Sequence, residues 1–190
     1  MRLENSFEVP APPEAAWDLL MDVPRVIPCM PGAKLDETVD DSNWKATMQV
    51  KLGPISLSFA TDVKREEADE AARRSRLSAR ARETRGRGAA QATIESSLAA
   101  SDGGGTKVDL VTDLSLTGAV AQYGRGIVAD VSSQLVTSFA DCLKAQLTAA
   151  PEAAQAATEA QARPLSGLSL GFSALGRSIG RFFSRLFRRG

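Results

Sequence analysis

An apolar stripe close to residue 130 limits most what this chain can fold into. Val120, Tyr123, Ile127, Val131, Leu135, Phe139 and Cys142 recur every three or four residues between Gly118 and Leu147. That spacing gathers side chains on one side of an α-helix. Gln122, Arg125, Ser133 and Lys144 fall on the other faces. A helix about eight turns long with one greasy side has to lay it on a second layer. The preceding residues offer that layer as strands.

Leu3, Asn5, Phe7 and Val9 alternate with polar residues and predict a first strand that ends at Pro10. Pro12 and Pro13 open a short helix, Glu14 to Met21, with Trp17 and Leu20 inward; proline is tolerated in a first turn because the amides there lack helical partners. Pro24 begins a second short helix, closed by Pro28 and Pro31-Gly32. Alternating segments follow. Lys34 to Val39 is the first. Trp44, Ala46, Met48, Val50 and Leu52 share one face, and Gly53-Pro54 turns the chain into Ile55, Leu57, Phe59, Thr61 and Val63. Arg73 to Glu83 sets Leu77, Ala79 and Ala81 against Arg76, Arg80 and Arg82. Gly86 to Gly88 leads into Ala90, Ala92, Ile94, Ser96 and Leu98, and Asp102 to Gly105 leads into Val108, Leu110, Thr112, Leu114 and Leu116. The acids from Glu66 to Glu70 read as a solvated turn. About seven strands on short connections make an antiparallel meander with one dry face. The expected class is α+β: a curved antiparallel sheet wrapped round a long C-terminal helix, with two short helices after the first strand. The inward residues are often small (Ala46, Ala79, Ala81, Ala90, Ala92, Gly124), so a tunnel-like apolar cavity is expected between sheet and helix.

Composition removes several functions. The chain has no histidine, hence neither the commonest general base nor the commonest metal ligand. No carboxylate pair falls on inward strand positions, so neither an enzyme nor a metal site is expected. Cys29 and Cys142 have apolar neighbours and no CxxC spacing, and buried, reduced thiols are expected. No basic segment followed by an apolar one opens the chain and no apolar run is long enough to span a bilayer, which predicts a cytoplasmic protein. Gly103-Gly104-Gly105 lacks the Lys-Ser/Thr of a phosphate loop and reads as a hairpin turn. The arginines at 73, 74, 76, 80 and 82 have no interleaved aromatics, so nucleic acid is not an expected partner.

The C-terminal part differs from the rest. Residues 149–166 turn to Ala, Gln and Glu with no stripe and read as a linker with a reach on the order of 20 Å. In residues 167–190, Phe172, Leu175, Ile179, Phe182, Phe183, Leu186 and Phe187 fall on one side of a helix, and Arg177, Arg181, Arg185, Arg188 and Arg189 on the other. The net charge of the chain is zero, yet beyond Pro164 the only charges are these five arginines, so acids are in excess elsewhere. Such a segment suits an anionic membrane surface; its alternatives are folding back on the domain, or docking in a partner's groove. Residues 1–148 form the expected globular domain.

Three stretches, Asp22 to Gly32 (DVPRVIPCMPG), Gly53 to Leu57 (GPISL) and Gly118 to Gly126 (GAVAQYGRG), resemble the carbon monoxide dehydrogenase G-subunit family. The order of elements resembles the START-like, helix-grip (SRPBCC) superfamily that contains it. The resemblance implies a partner, a molybdenum-containing carbon monoxide dehydrogenase or related hydroxylase, and an apolar pocket. For members with a basic amphipathic tail it implies attachment to the cytoplasmic face of the cell membrane and the carrying of a respiratory quinone, menaquinone or ubiquinone, as cargo for electron transport. The ligand would then lie against Met48, Val50, Leu57, Phe59, Leu116, Val120 and Ile127. Tyr123 is either a core tyrosine or a polar handle in the pocket, with Gly124 and Gly126 leaving room for a flat ring. Arg25 is either a surface residue or a donor at the pocket mouth. A membrane anchor or recruitment factor without ligand transport is the alternative function.

Overall fold

The computed structural model describes residues 1–52 and 55–148. Its strands are β1 (Arg2–Val9), β2 (Ala33–Asp40), β3 (Asn43–Leu52), β4 (Ile55–Asp69), β5 (Arg74–Glu83), β6 (Gly88–Ala100) and β7 (Thr106–Gly118). They form one antiparallel sheet in the order β1-β7-β6-β5-β4-β3-β2. Six consecutive strands make the meander, and the first strand returns to pair with the last, with Phe7 opposite Val108 and Asn5 opposite Leu110. Between β1 and β2 lie the short helices α1 (Pro13–Met21) and α2 (Val23–Val26) and a 3-10 turn, Ile27–Cys29. The long helix α3 (Gly124–Thr148) closes the described chain. This is the expected α+β architecture. The linker 149–166 and the amphipathic segment 167–190 lie outside the described residues, as does the Gly53-Pro54 turn.

Hydrophobic burial assembles one end of the molecule. Phe7 and Val9 of β1, Leu98 of β6 and Val108 of β7 pack with Trp17 and Leu19 of α1 and with Ala140, Cys142 and Leu143 of α3. The rings of Phe7 and Phe139 meet edge to face, 6.1 Å between centroids. Arg65 closes this end from the sheet: its guanidinium donates to the carbonyls of Met21 and Asp41 and stands over the Trp44 ring.

Three features differ from the sequence expectation. Cys29 and Cys142 are not thiols but a disulfide across 113 residues of sequence, and both are fully buried. Cysteine spacing reports only local frameworks, whereas this pair is brought together by the 3-10 turn after α2 lying against α3. Second, the helix does not begin at Gly118. Gly118 (φ 71°) and Gly124 (φ 76°) both adopt left-handed backbone and bound a separate 3-10 turn, Ala119–Tyr123. Val120 and Tyr123 therefore leave the α3 stripe. Third, Glu66, Glu67 and Asp69 belong to β4 rather than to a turn. A register shift between Arg65 and Glu67 brings Glu67 to 3.7 Å from Arg76, which also holds Glu95 at 2.6 Å.

Candidate functional site

Strand parity decides which side chains face α3. Cross-strand rows run Val63–Ala79–Ala92–Leu114 and Thr61–Ala81–Ala90–Leu116. Ala79, Ala81, Ala90 and Ala92 thus form a square of small side chains in the middle of the inner face. β3 and β4 continue it with Met48 opposite Phe59 and Val50 opposite Leu57.

At the far end from the first core, a second apolar cluster forms. Leu57, Phe59 and Val120 are buried, and Met48, Val50, Ile55, Ala81, Leu116 and Tyr123 pack around them half-buried. The close pairing of Gly88 with Gly118 permits this. A Cβ on Gly118 would come within 2.8 Å of the Gly88 Cα, and one on Gly88 would meet the Val120 side chain at 2.9 Å. With no side chain at either position, the chain can bend out of β7 and drop Val120 onto the sheet.

Between the two clusters the inner face is not sealed. Val63, Leu77, Ala79, Ala92, Ile94, Leu110 and Leu114 are only half-buried, although they point toward the helix side. On α3, Val128, Val131 and Leu135 are half-buried as well, and Ile127 is 48% exposed. The reason is where α3 sits: it packs chiefly against β1 and the Ile27–Cys29 turn, so its first half stands away from β4–β6. Even against β1 it leaves an open cleft of about 260 Å³ of mixed character, lined by Arg2, Leu3, Glu4, Asn5, Arg125 and Ala129 among others. The Asn5 amide donates to Ser132 Oγ there at 3.4 Å. The result is an apolar groove floored by alanines between two packed ends.

Of the residues expected to line a ligand site, Met48, Val50, Leu57, Phe59, Leu116, Val120 and Tyr123 meet in the second cluster. Gly124 adjoins Tyr123. Ile127 is turned further to solvent than a stripe residue should be, because no strand covers that turn of α3. Arg25 stands elsewhere. It lies in α2, whose Val26 belongs to the first core, with an exposed side chain and a carbonyl that accepts from Gln146. Sequence reasoning omitted Ile55 and Ala81 from the site, although both have the parity of residues it included.

A Cβ at Gly124 or Gly126 meets nothing within 4 Å, but Gly124 has left-handed backbone. With ψ at 157° that backbone is open essentially only to glycine, and Gly124→Ala should cost about 2 kcal/mol of stability. Gly126→Ala, with an ordinary backbone, should be neutral or stabilising by up to about 1 kcal/mol. Urea titration of the two variants checks the contrast.

One carboxylate lies beside this site. Glu83, opposite Phe59, is buried, and its Oε2 accepts the backbone N–H of Arg87 at 3.0 Å and of Arg85 at 2.8 Å. These amide bonds, that from Arg87 foremost, hold its carboxyl below the ordinary glutamate range against the opposing effect of burial. A lowered pKa means stability that is present above the unfolded value, about 4.3, and lost as pH falls through the folded one. Protection of the amides in residues 83–88, taken relative to their intrinsic exchange rates, should therefore fall on acidification below about pH 4. Glu83→Gln should lower that protection at neutral pH as well and remove its pH dependence.

A family model described as CoxG, the G-subunit of carbon monoxide dehydrogenase, matches residues 6–148. No curated protein matches the chain at a significant level. Among solved structures, a conserved protein from Geobacillus kaustophilus superposes with a TM-score of 0.65 at 20% identity, over 73% of this chain and 90% of that one. A START superfamily protein from Mycobacterium smegmatis gives 0.52 at 14% identity, over 75% and 94%. The Zhui aromatase/cyclase from Streptomyces sp. R1128 gives 0.51 at 15% identity, over 86% and 96%. At these identities the likeness is one of fold. No helix among the described residues is long and apolar enough to cross a membrane.

Proposed function

The chain belongs to the carbon monoxide dehydrogenase G-subunit (CoxG) family, and from that premise we propose that it is a non-catalytic carrier of a respiratory quinone for a molybdenum-containing carbon monoxide dehydrogenase. The observation that supports this most is the apolar inner face left half-exposed between two packed clusters, with four alanines as its floor. A prenyl chain laid there gains about 25 cal/mol for each Å² of apolar surface withdrawn from water, and the neighbouring carboxylate, Glu83, is already held by turn amides. Tyr123, at the end of the groove, supplies a hydroxyl that can donate to a quinone carbonyl. With no histidine in the chain, the reading assigns it binding rather than chemistry, unlike the aromatase/cyclase that shares the fold. In this reading residues 167–190 hold the domain at the inner face of the cell membrane, and residues 149–166 let it move between bilayer and enzyme.

The test is direct. Protein purified from its own membranes is extracted with organic solvent and the extract analysed by mass spectrometry for prenyl quinones. A quinone in near-stoichiometric amount is the expected result. Protein that remains empty after incubation with quinone-bearing membranes would remove the carrier reading and leave the domain as a membrane anchor or recruitment factor for the dehydrogenase.

A further inference from the structure

The end of the sheet that holds the second apolar cluster also gathers cations. Lys51 near the end of β3, Arg82 at the end of β5, Arg85 and Arg87 in the turn that follows, and Arg125 in the first turn of α3 are all exposed. The topology puts them together: the Thr84 N–H donates to the Ser58 carbonyl, and the Ala119 N–H to that of Arg87. Among the described residues none of these five makes an ion pair. Of the acids beside them, Glu83 is buried with its carboxylate on the turn amides, and Glu4, which shares a cleft with Arg125, is ion-paired to Arg2. Apolar groups share the same end: Ile127 is 48% exposed, Ala119 and Ala121 are exposed, and Ile55 and Tyr123 are half-buried. Acids outnumber cations at the opposite end, where Asp40 and Asp41 at the β2–β3 turn and Glu66, Glu67, Asp69 and Glu70 about the β4–β5 turn, all exposed, stand against Arg73 and Arg74. The domain is therefore electrically polar along the groove, positive where the second cluster opens.

We propose that this end of the folded domain seats on the headgroup layer of a bilayer containing anionic phospholipid, with the groove opening into the lipid. The assignment rests on the carrier reading and adds to it an orientation and a second, tail-independent contact. Five exposed cations attract an anionic surface, Arg87 least because it also acts on the Glu83 carboxylate, and the apolar groups among them gain by entering its acyl boundary. An acidic protein surface would satisfy the cations alone. Seated this way, a lipid chain passes between bilayer and groove without crossing water, and the acidic end is kept outward by repulsion.

The full-length chain contains two cysteines, both in the disulfide, so one introduced thiol is the only one that labels. Thr84→Cys in the β5–β6 turn and, separately, Ala71→Cys at the opposite end are labelled with an environment-sensitive fluorophore. Each is titrated with vesicles of phosphatidylcholine, with and without phosphatidylglycerol. The expected result is a blue shift of the Thr84 probe on phosphatidylglycerol vesicles and none of the Ala71 probe. Adding Arg82→Glu, Arg85→Glu and Arg87→Glu should weaken that response by at least about tenfold. Equal responses at both ends, no response at Thr84, or indifference to the charge reversals would overturn the proposal while leaving the carrier reading to be decided by lipid extraction. A Thr84 probe silent on vesicles but shifted by poly-glutamate would assign this end to an acidic protein surface instead.

Discussion

Replacing both cysteines by alanine is expected to lower stability by about 3 kcal/mol, in the middle of what a native crosslink contributes. The disulfide closes a loop with a sequence separation of 113 residues, and loops of that length lose on the order of 4–5 kcal/mol of unfolded-chain entropy when closed. Native-state relaxation and residual structure in the unfolded chain reduce what is measured. The local setting adds to the effect. Cys29 and Cys142 are fully buried, and the Gln146 amide donates to Cys29 Sγ at 3.1 Å and to the Arg25 carbonyl at 3.3 Å. The bridge thus fastens the segment between α2 and β2 to the last turns of α3. In urea the midpoint should fall and the slope should rise, because the uncrosslinked chain unfolds to a more exposed state, and the melting temperature should drop by roughly 10 °C. Thiol reductant should reproduce the shift only after partial unfolding, because neither sulfur is accessible. Unchanged midpoints would show that the segment is held by packing alone.

The second expected result separates binding from folding. Ala92→Phe places a ring on the alanine floor, where Ala92 lies opposite Ala79 on one side and Leu114 on the other. All three are half-buried, so the ring has open groove to enter and stability should change by less than about 1.5 kcal/mol. Co-purified quinone should fall by at least about tenfold, because the ring occupies the space a prenyl chain would take. Ala79→Leu, a smaller intrusion from the neighbouring strand, should give an intermediate loss. Ala60→Phe is the control: Ala60 is exposed and opposite Arg82, on the outer face of the sheet, and should leave occupancy unchanged. Equal losses at both faces would mean that the inner groove is not where the lipid lies.

Period-two patterning carried the sheet. Trp44, Ala46, Met48 and Val50 do face Val63, Thr61, Phe59 and Leu57 across β3 and β4, because alternation fixes parity and short turns fix antiparallel neighbours. That same parity made most of the second cluster readable. The stripe on α3 was legible as a helix face but not as a buried one: periodicity cannot tell that Phe139 meets Phe7 while Ile127 meets no strand. Gly118 and Gly124 were hidden for another reason. Their left-handed backbone is a tertiary requirement, set by the bend out of β7, and between apolar residues they read as helix interior. The disulfide was the least accessible, since it depends on where two distant segments come to rest. Glu66, Glu67 and Asp69 misled because charge suggests a turn, whereas Arg76 on the neighbouring strand made extension of β4 favourable.

The pairing of β1 with β7 bears on how the protein comes into being on the ribosome. Among the described residues β1 has its sheet neighbour about a hundred residues later, and α3, which rests chiefly on β1, emerges later still. Until then the nascent chain can form the hairpins of the meander but must keep its first strand waiting, with Leu3, Phe7 and Val9 in search of cover. Long-range closure of this kind slows folding. It also makes the last step an all-or-none event in which the edge strand, the long helix and the covalent bridge are secured together.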